Sequence, residues 1–288
     1  MSIGRDFIGP FQLLRMIRSG TTTQVWEALR TGEKERIALK VLMKDYRKDK
    51  YEIGQLKHEA NVAATLNHEN VIKIFGYHDE QGYPLVAMQL FHAKNMKIAM
   101  REHRDLMLPN ISIIMRKCAL GLQHLHDHGW IHCDIKPDNF LTDEHCNLKV
   151  IDFSIAVKEK KGGLGSLFGG RPKAIRGTRS YMAPEQIRRK QPTPASDVYG
   201  LGCVIFELLS AKTPFSANSP DELLQKHLKA PIPSLEACSD ATKEFANLVK
   251  KMLAKDPAKR VKTMREFLHE YKSIQMFRPG KRPPGFKR

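Results

Sequence analysis

The chain has 288 residues, of which 41% are hydrophobic and 27% charged, and its formal net charge is +17. This length supports a substantial core but leaves no room for a second large folded module. No apolar run reaches the roughly eighteen residues of a membrane span, and the first residues lack a signal peptide's apolar core. Five scattered cysteines without a CxxC pair argue against a disulfide framework and a zinc site. We therefore expect a cytoplasmic protein without a transmembrane segment.

The positive charge is concentrated in two segments. Residues 158–190 hold ten Lys or Arg against two Glu, and residues 272–288 hold six with no acid. Such segments form either a solvated basic face or a surface that attracts an acidic peptide, a nucleic acid or an anionic membrane. The sequence leaves both interpretations open, and it predicts no specific nucleic acid partner.

The first third of the chain has the pattern of an antiparallel sheet with one helix. Apolar and β-branched residues recur in five short runs, and one longer stretch has helical spacing. The predicted helix is Tyr51–Leu66, and the predicted strands are Phe11–Ile17, Gln24–Leu29, Arg36–Leu42, Ile72–Tyr77 and Pro84–Leu90.

From about Ile111 the apolar spacing changes to three and four residues, which predicts a helical second part. Glycines at 162–170 indicate a loop between two such regions, and residues 273–288 form a basic tail containing Pro and Gly. Further predicted helices are Val198–Leu209, Glu222–Leu228 and Thr242–Leu253.

The segment from Ile131 to Asn139 carries the most informative chemistry, together with Asp152 thirteen residues after that Asn. Asp134 can accept the proton of an incoming hydroxyl, and Lys136 can neutralise charge on a phosphoryl group. Asn139 and Asp152 offer the hard oxygen ligands that Mg²⁺ prefers. The spacing therefore suits phosphoryl transfer.

These residues resemble the catalytic-loop and metal-loop signatures of protein kinases. Further signatures follow in the family's order: Ile37 to Lys40 with Glu59, then Ala183-Pro184-Glu185, residues 197–202 and Arg260. The resemblance covers nearly the whole chain and implies an α+β, two-lobed fold over residues 11–272, with an N-lobe at 11–91 and a C-lobe at 92–272. It also implies a buried ion pair between Glu185 and Arg260.

The resemblance further implies a site for ATP. Lys40 would bind the α and β phosphates, held by Glu59, while Gly20 would approach the phosphates closely. The adenine would contact a set of apolar side chains, namely Ile17, Val25, Ala38, Met88, Leu90 and Leu141. The phosphate loop departs from the family pattern because only its middle glycine, Gly20, is present, and weaker ATP binding is plausible.

Lys136, two residues past the base, and Thr178 before the Ala183-Pro184-Glu185 motif resemble the Ser/Thr-specific pattern of the family. The resemblance implies serine or threonine acceptors in protein substrates. The expected activity is thus ATP- and Mg²⁺-dependent protein phosphorylation, and acidic protein substrates are one interpretation of the basic segments. A pseudokinase scaffold is the alternative, and a small-molecule kinase is a third possibility.

Cys133 stands where most relatives carry Arg, and Ser154 where they carry Gly. In relatives with that Arg, a phosphate on the activation segment neutralises the guanidinium. Between Ile155 and Gly177 the one side-chain hydroxyl is Ser166. We therefore expect activity without phosphate on this segment.

Overall fold

In a computed structural model of the chain, residues 7–159 and 177–278 are described. Ser166 and the end of the predicted tail lie outside these residues. The described chain divides into two compact units, each treated by itself below. The sheet unit contains residues up to 92 together with 152–154, and the helical unit contains the rest.

The sheet unit is built on six antiparallel strands in the order β1-β2-β3-β4-β6-β5. The strands are β1 (Phe7–Ile8), β2 (Phe11–Ser19), β3 (Thr23–Arg30), β4 (Arg36–Leu42), β5 (Ile74–Glu80) and β6 (Tyr83–Gln89), and helix α1 (Lys50–Ala63) follows β4. The five predicted strands and the helix are confirmed, with β5 displaced towards the C-terminus. β1 was not predicted, because two residues carry no periodic pattern.

The two faces of this sheet bury different side chains because successive strand residues point to opposite sides. Ile37, Leu39 and Val41 of β4 pack in one apolar cluster. Leu42 packs on the other face against Leu56 of α1. Asp49 caps the start of α1 by accepting from the backbone N–H groups of the two residues after Lys50. The helix is therefore fixed against the face that carries Lys40.

The helical unit contains nine α-helices among its described residues. They are α2 (Met96–Glu102), α3 (Arg104–Met107), α4 (Ile111–Asp127), α5 (Pro184–Ile187), α6 (Pro194–Ser210), α7 (Pro220–Lys229), α8 (Leu235–Cys238), α9 (Lys243–Met252) and α10 (Met264–Lys272). Short strands form two small antiparallel sheets, β10-β9-β7 and β11-β8. These strands are β7 (Lys94–Asn95), β8 (Trp130–Ile131), β9 (Phe140–Thr142), β10 (Leu148–Val150) and β11 (Val157–Lys158).

Helix α6 is the centre of this unit. Nearly all its residues are buried, which its continuous apolar sequence explains. At Gly200, an added Cβ would lie 2.7 Å from Cβ of Ile135 in the predicted catalytic loop, so only glycine allows this contact. The α+β expectation is confirmed, and none of the described helices is long and apolar enough to cross a membrane.

Candidate active site

Lys40 of the sheet unit lies between two carboxylates. Its Nζ is 2.7 Å from Oε2 of Glu59 on α1 and 3.3 Å from Oδ1 of Asp152. Burial would lower the pKa of Lys40, but attraction to Asp152 and Glu59 outweighs it and holds the pKa above the ordinary value. Lys40 is therefore a fixed positive charge, as a phosphate-binding lysine must be.

Three of the residues expected around the adenine lie on the same face of the sheet as this lysine. Val25 pairs with Lys40, and Ala38 pairs with Met88, so all four share a face. Leu90 follows β6, and Ile17 near the end of β2 is exposed. This face presents apolar side chains beside the Lys40 ammonium, which suits a nucleotide base with its phosphates.

Gly20 lies in the turn between β2 and β3, where its N–H donates to the carbonyl of Thr23 at 2.8 Å. A Cβ at Gly20 would approach that carbonyl to 3.3 Å, so the turn is tight without requiring a positive φ. Leu141 belongs to β9 of the helical unit.

The Asp134 carboxylate in the helical unit accepts hydrogen bonds at both oxygens. Oδ1 accepts from the backbone N–H and the hydroxyl of Thr178, at 2.8 and 2.9 Å. Oδ2 accepts from Nζ of Lys136 at 2.6 Å and from the amide of Asn139 at 3.2 Å. The structure thus brings the expected lysine, amide and threonine together around the carboxylate of the expected base.

Helix α6 holds the loop that carries Asp134. The Asp197 carboxylate accepts from the backbone N–H groups of His132 and Cys133 at 2.8 and 2.9 Å, and a ring nitrogen of His126 lies 2.8 Å away. Cys133 has a φ of +68°, a left-handed conformation that is strained for a residue with a Cβ. These bonds hold the backbone in this conformation next to the base.

The segment after Gly177 is bound to the same loop. Gly177 has a φ of +108°, and an added Cβ would lie 2.9 Å from the carbonyl oxygen of Cys133. The amide of Gln186 on α5 donates to that oxygen at 2.9 Å. Thr178 is therefore positioned at Asp134 by contacts on both sides of it in the chain.

The predicted ion pair between Glu185 and Arg260 is confirmed. Arg260 binds both oxygens of Glu185, at 2.7 and 3.1 Å, and also donates to the carbonyl groups of Ala195 and Ala254. Burial would raise the pKa of Glu185, but Arg260 and the Ser196 hydroxyl outweigh it and lower the pKa. The pair is charged and joins α5 to the core of the helical unit.

Three polar residues of this region were not singled out as functional from the sequence: Asp197, Gln186 and Glu207. Glu207 on α6 accepts from the Tyr181 hydroxyl at 2.6 Å and from Nζ of Lys97 at 2.7 Å. The sequence did contain one indication of Asp197 and Glu207, since they are two acids in the otherwise apolar stretch that forms α6. Buried acids need partners, so such a pattern indicates an anchoring contact.

Asn139 of the helical unit and Asp152 of the sheet unit each carry an oxygen of the kind that Mg²⁺ prefers. Asn139 donates its amide N–H groups to the backbone and side chain of Asp134, which leaves its oxygen as the atom for a cation. Asp152 has a φ of +67° and a partly exposed carboxylate. Among the described residues no group of three or more His, Cys, Asp or Glu could hold a metal.

Comparison with known proteins agrees with this geometry. The protein kinase domain family matches residues 11–272. The chain is 31% identical to serine/threonine-protein kinase PrkC of Bacillus subtilis, over 95% of this chain and 42% of the relative. It is 30% identical to serine/threonine-protein kinase PknA of Mycobacterium tuberculosis, over 98% of this chain and 64% of the relative. The chain thus spans less than two thirds of these relatives, and it belongs to the protein kinase family.

Proposed function

We propose that this chain transfers the γ-phosphoryl group of ATP, with Mg²⁺, to serine and threonine hydroxyls of proteins. The observation that carries the proposal is the Asp134 carboxylate with Lys136, Asn139 and Thr178 around it. Relatives such as PrkC and PknA are named as serine/threonine-protein kinases, which supports the same acceptor class.

Asp134 would act as the proton acceptor. An ionised carboxylate has about four acceptor positions, and here four donors from Lys136, Asn139 and Thr178 point at them. An acceptor hydroxyl would replace one of these donors. As its oxygen bonds to the γ-phosphorus and the bond to the bridging oxygen breaks, the proton passes to Asp134.

The remaining groups would hold and neutralise the nucleotide. Lys40 would bind the phosphates as a fixed cation, because Glu59 and Asp152 keep it charged and in place. Asp152 and Asn139 would hold Mg²⁺, which offsets negative charge on the phosphate oxygens. Lys136 contributes a further positive charge beside the base.

The alternative is a scaffold that binds nucleotide without transfer. The reduced glycine content around Gly20 is consistent with that alternative. However, a scaffold has no chemical need for a carboxylate base that binds a lysine and an amide. It also has no need for a second lysine between two further carboxylates. The catalytic function therefore accounts for more of the arrangement.

The test is to incubate the purified chain with labelled ATP, Mg²⁺ and a generic protein substrate, then to identify the phosphorylated residues. We expect phosphoserine or phosphothreonine, and a loss of label with Lys40→Met but not with Lys34→Met, since Lys34 is an exposed lysine of the same unit. Label on tyrosine, or no label above the Lys40→Met background, would refute the proposal.

A further inference from the structure

Exposed cations lie around the expected acceptor site of the helical unit. They are Arg179, Arg188, Arg189 and Lys190. None of the four forms an ion pair with any residue that the structure describes. Neighbouring like charges repel one another, so a cluster without acidic partners is complementary to a negatively charged ligand.

The backbone places these cations close to Asp134. Arg179 directly follows Thr178, whose N–H and hydroxyl contact that carboxylate. On the other side, Gln186 contacts the carbonyl of Cys133, the residue before Asp134. Since consecutive Cα atoms are about 3.8 Å apart, Cα of Arg188 lies within about 7.6 Å of Cα of Gln186. A peptide with its hydroxyl at Asp134 would therefore meet these cations within a few residues.

Glu207 is an acid near this positive charge, but its own charge is already paired with a lysine. Glu207 is buried and bonded to Tyr181, which is three residues after Thr178. Its other oxygen binds Lys97, a residue of α2 whose side chain is 51% exposed. A peptide passing this point would meet the Lys97 ammonium rather than the Glu207 carboxylate. Other acids near these four cations in the described chain include Asp138 of the catalytic loop and Asp221 and Glu222 of α7, a helix that contacts α5. Glu222 is itself paired with Lys226.

We propose that this surface selects substrates with acidic residues within about four positions of the serine or threonine acceptor, and that Lys97 contributes by covering Glu207. The inference rests on the proposed kinase function and specifies its substrate class. A basic peptide would be disfavoured, because its charges would face Arg179, Arg188, Arg189 and Lys190, which outnumber the unpaired acids around them.

Three peptides test this, each with one serine flanked on both sides by Glu, by Ala or by Lys. We expect kcat/KM to decrease in that order, with the Glu peptide about three- to tenfold above the Ala peptide at low salt, and a smaller ratio at physiological ionic strength. Binding of fluorescein-labelled forms of the peptides, followed by anisotropy, should give the same order. Equal constants for the Glu and Ala peptides would overturn the inference, even if all three are phosphorylated.

Variants locate the effect. Replacing Arg188, Arg189 and Lys190 by Gln should bring the ratio between Glu and Ala peptides close to one. The control replaces three exposed lysines on other helices, Lys243, Lys250 and Lys272, by Gln, which removes the same charge. That control should keep the ratio of the wild type. An equal fall in both triple variants would mean that overall charge, rather than this surface, sets the preference.

A single variant tests the part played by Lys97. Lys97→Met should expose the Glu207 carboxylate to the peptide and raise kcat/KM for the Lys peptide relative to the Glu peptide by about threefold or more. Lys94→Met is the matched control, because Lys94 pairs with the exposed Glu102 instead. If the substitution only disturbed the folded structure, kcat/KM would fall for all three peptides together and the ratios between them would stay unchanged. If no peptide is phosphorylated, the kinase function fails, while the anisotropy order still decides on the acidic preference.

Discussion

Two carboxylates of the helical unit, those of Asp134 and Glu185, both accept hydrogen bonds at each oxygen but differ in what their partners can do. Asp134 keeps 11% of its side chain exposed, and its donors include a threonine hydroxyl that a substrate hydroxyl can replace. Glu185 is paired with Arg260, whose side chain is fully buried and fixed by two backbone carbonyls. Exchangeable donors suit transfer, whereas fixed donors suit stability.

The largest effect is expected at the exchangeable carboxylate. Asp134→Asn removes the proton acceptor, so the transfer rate should fall by about 10² to 10⁴. Binding of a fluorescent ATP analogue should change little, because Asp134 would act on the acceptor hydroxyl. Asp221→Asn, an exposed aspartate on α7, is the control. Full activity of the Asp134 variant would mean that Asp134, like Glu185, does not take part in the transfer step.

The fixed carboxylate should show its effect in stability. Arg260→Ala leaves Glu185 charged and buried, which should cost about 3 to 5 kcal/mol of unfolding free energy. The control is Arg265→Ala, because Arg265 forms an exposed pair with Asp127 at 3.2 Å and should contribute at most about 1 kcal/mol. Denaturant unfolding of both variants measures the difference. Equal losses would mean that burial does not distinguish these pairs.

Acid should affect the core around Arg260 through His227. His227 is fully buried, binds the Tyr199 hydroxyl at 2.8 Å, and has its pKa lowered to about 4 by burial and by Lys255. Below pH 6.5 the histidine is protonated in the unfolded chain, whereas in the folded protein it stays neutral down to about pH 4. Protonation of His227 therefore lowers the free energy of unfolding by about 3 kcal/mol as pH falls from 6.5 to 4.

The measurement is unfolding free energy against pH for the wild type, His227→Gln and, as control, the exposed His269→Gln. The advantage of the wild type over His227→Gln should shrink between pH 6.5 and 4, and by more than its difference from the exposed control changes. A parallel pH dependence in all three proteins would contradict a neutral buried His227.

The smallest effect is expected from removing phosphate on the activation segment. Burial raises the pKa of the Cys133 thiol well above its ordinary value, so residue 133 is neutral. No guanidinium there needs a phosphate partner. Treatment with phosphatase, checked by mass spectrometry, and the Ser166→Ala variant should each change the initial rate less than tenfold. A larger loss would make Ser166 a regulatory site.

Local patterns predicted the elements long enough to show a period, such as the strands of the sheet unit and helices α4, α6, α7 and α9. Strands of two or three residues, β7 to β11, carry no such pattern. Helix α10 was also not predicted, although the Thr263 hydroxyl accepts from the Glu266 N–H at 3.1 Å, a capping arrangement that the sequence contains.

The site residues that motifs identify are those whose chemistry is local, such as Asp134, Lys136 and Asn139 within six residues. Partners distant in the chain were harder to find. Lys97 and Glu207 are 110 residues apart, and neither has a spacing that indicates the other. Their pairing depends on how α2 meets α6, which only the folded structure gives.

Gly200 has a consequence for how this protein tolerates mutation. It contacts no expected substrate atom, yet an added methyl group would collide with Ile135 of the catalytic loop. A random library screened for lost activity should therefore return alanine at position 200 beside changes at Asp134. At Gly200, the substitutions that the protein tolerates are limited by packing against a side chain of the catalytic loop rather than by contact with the reactants.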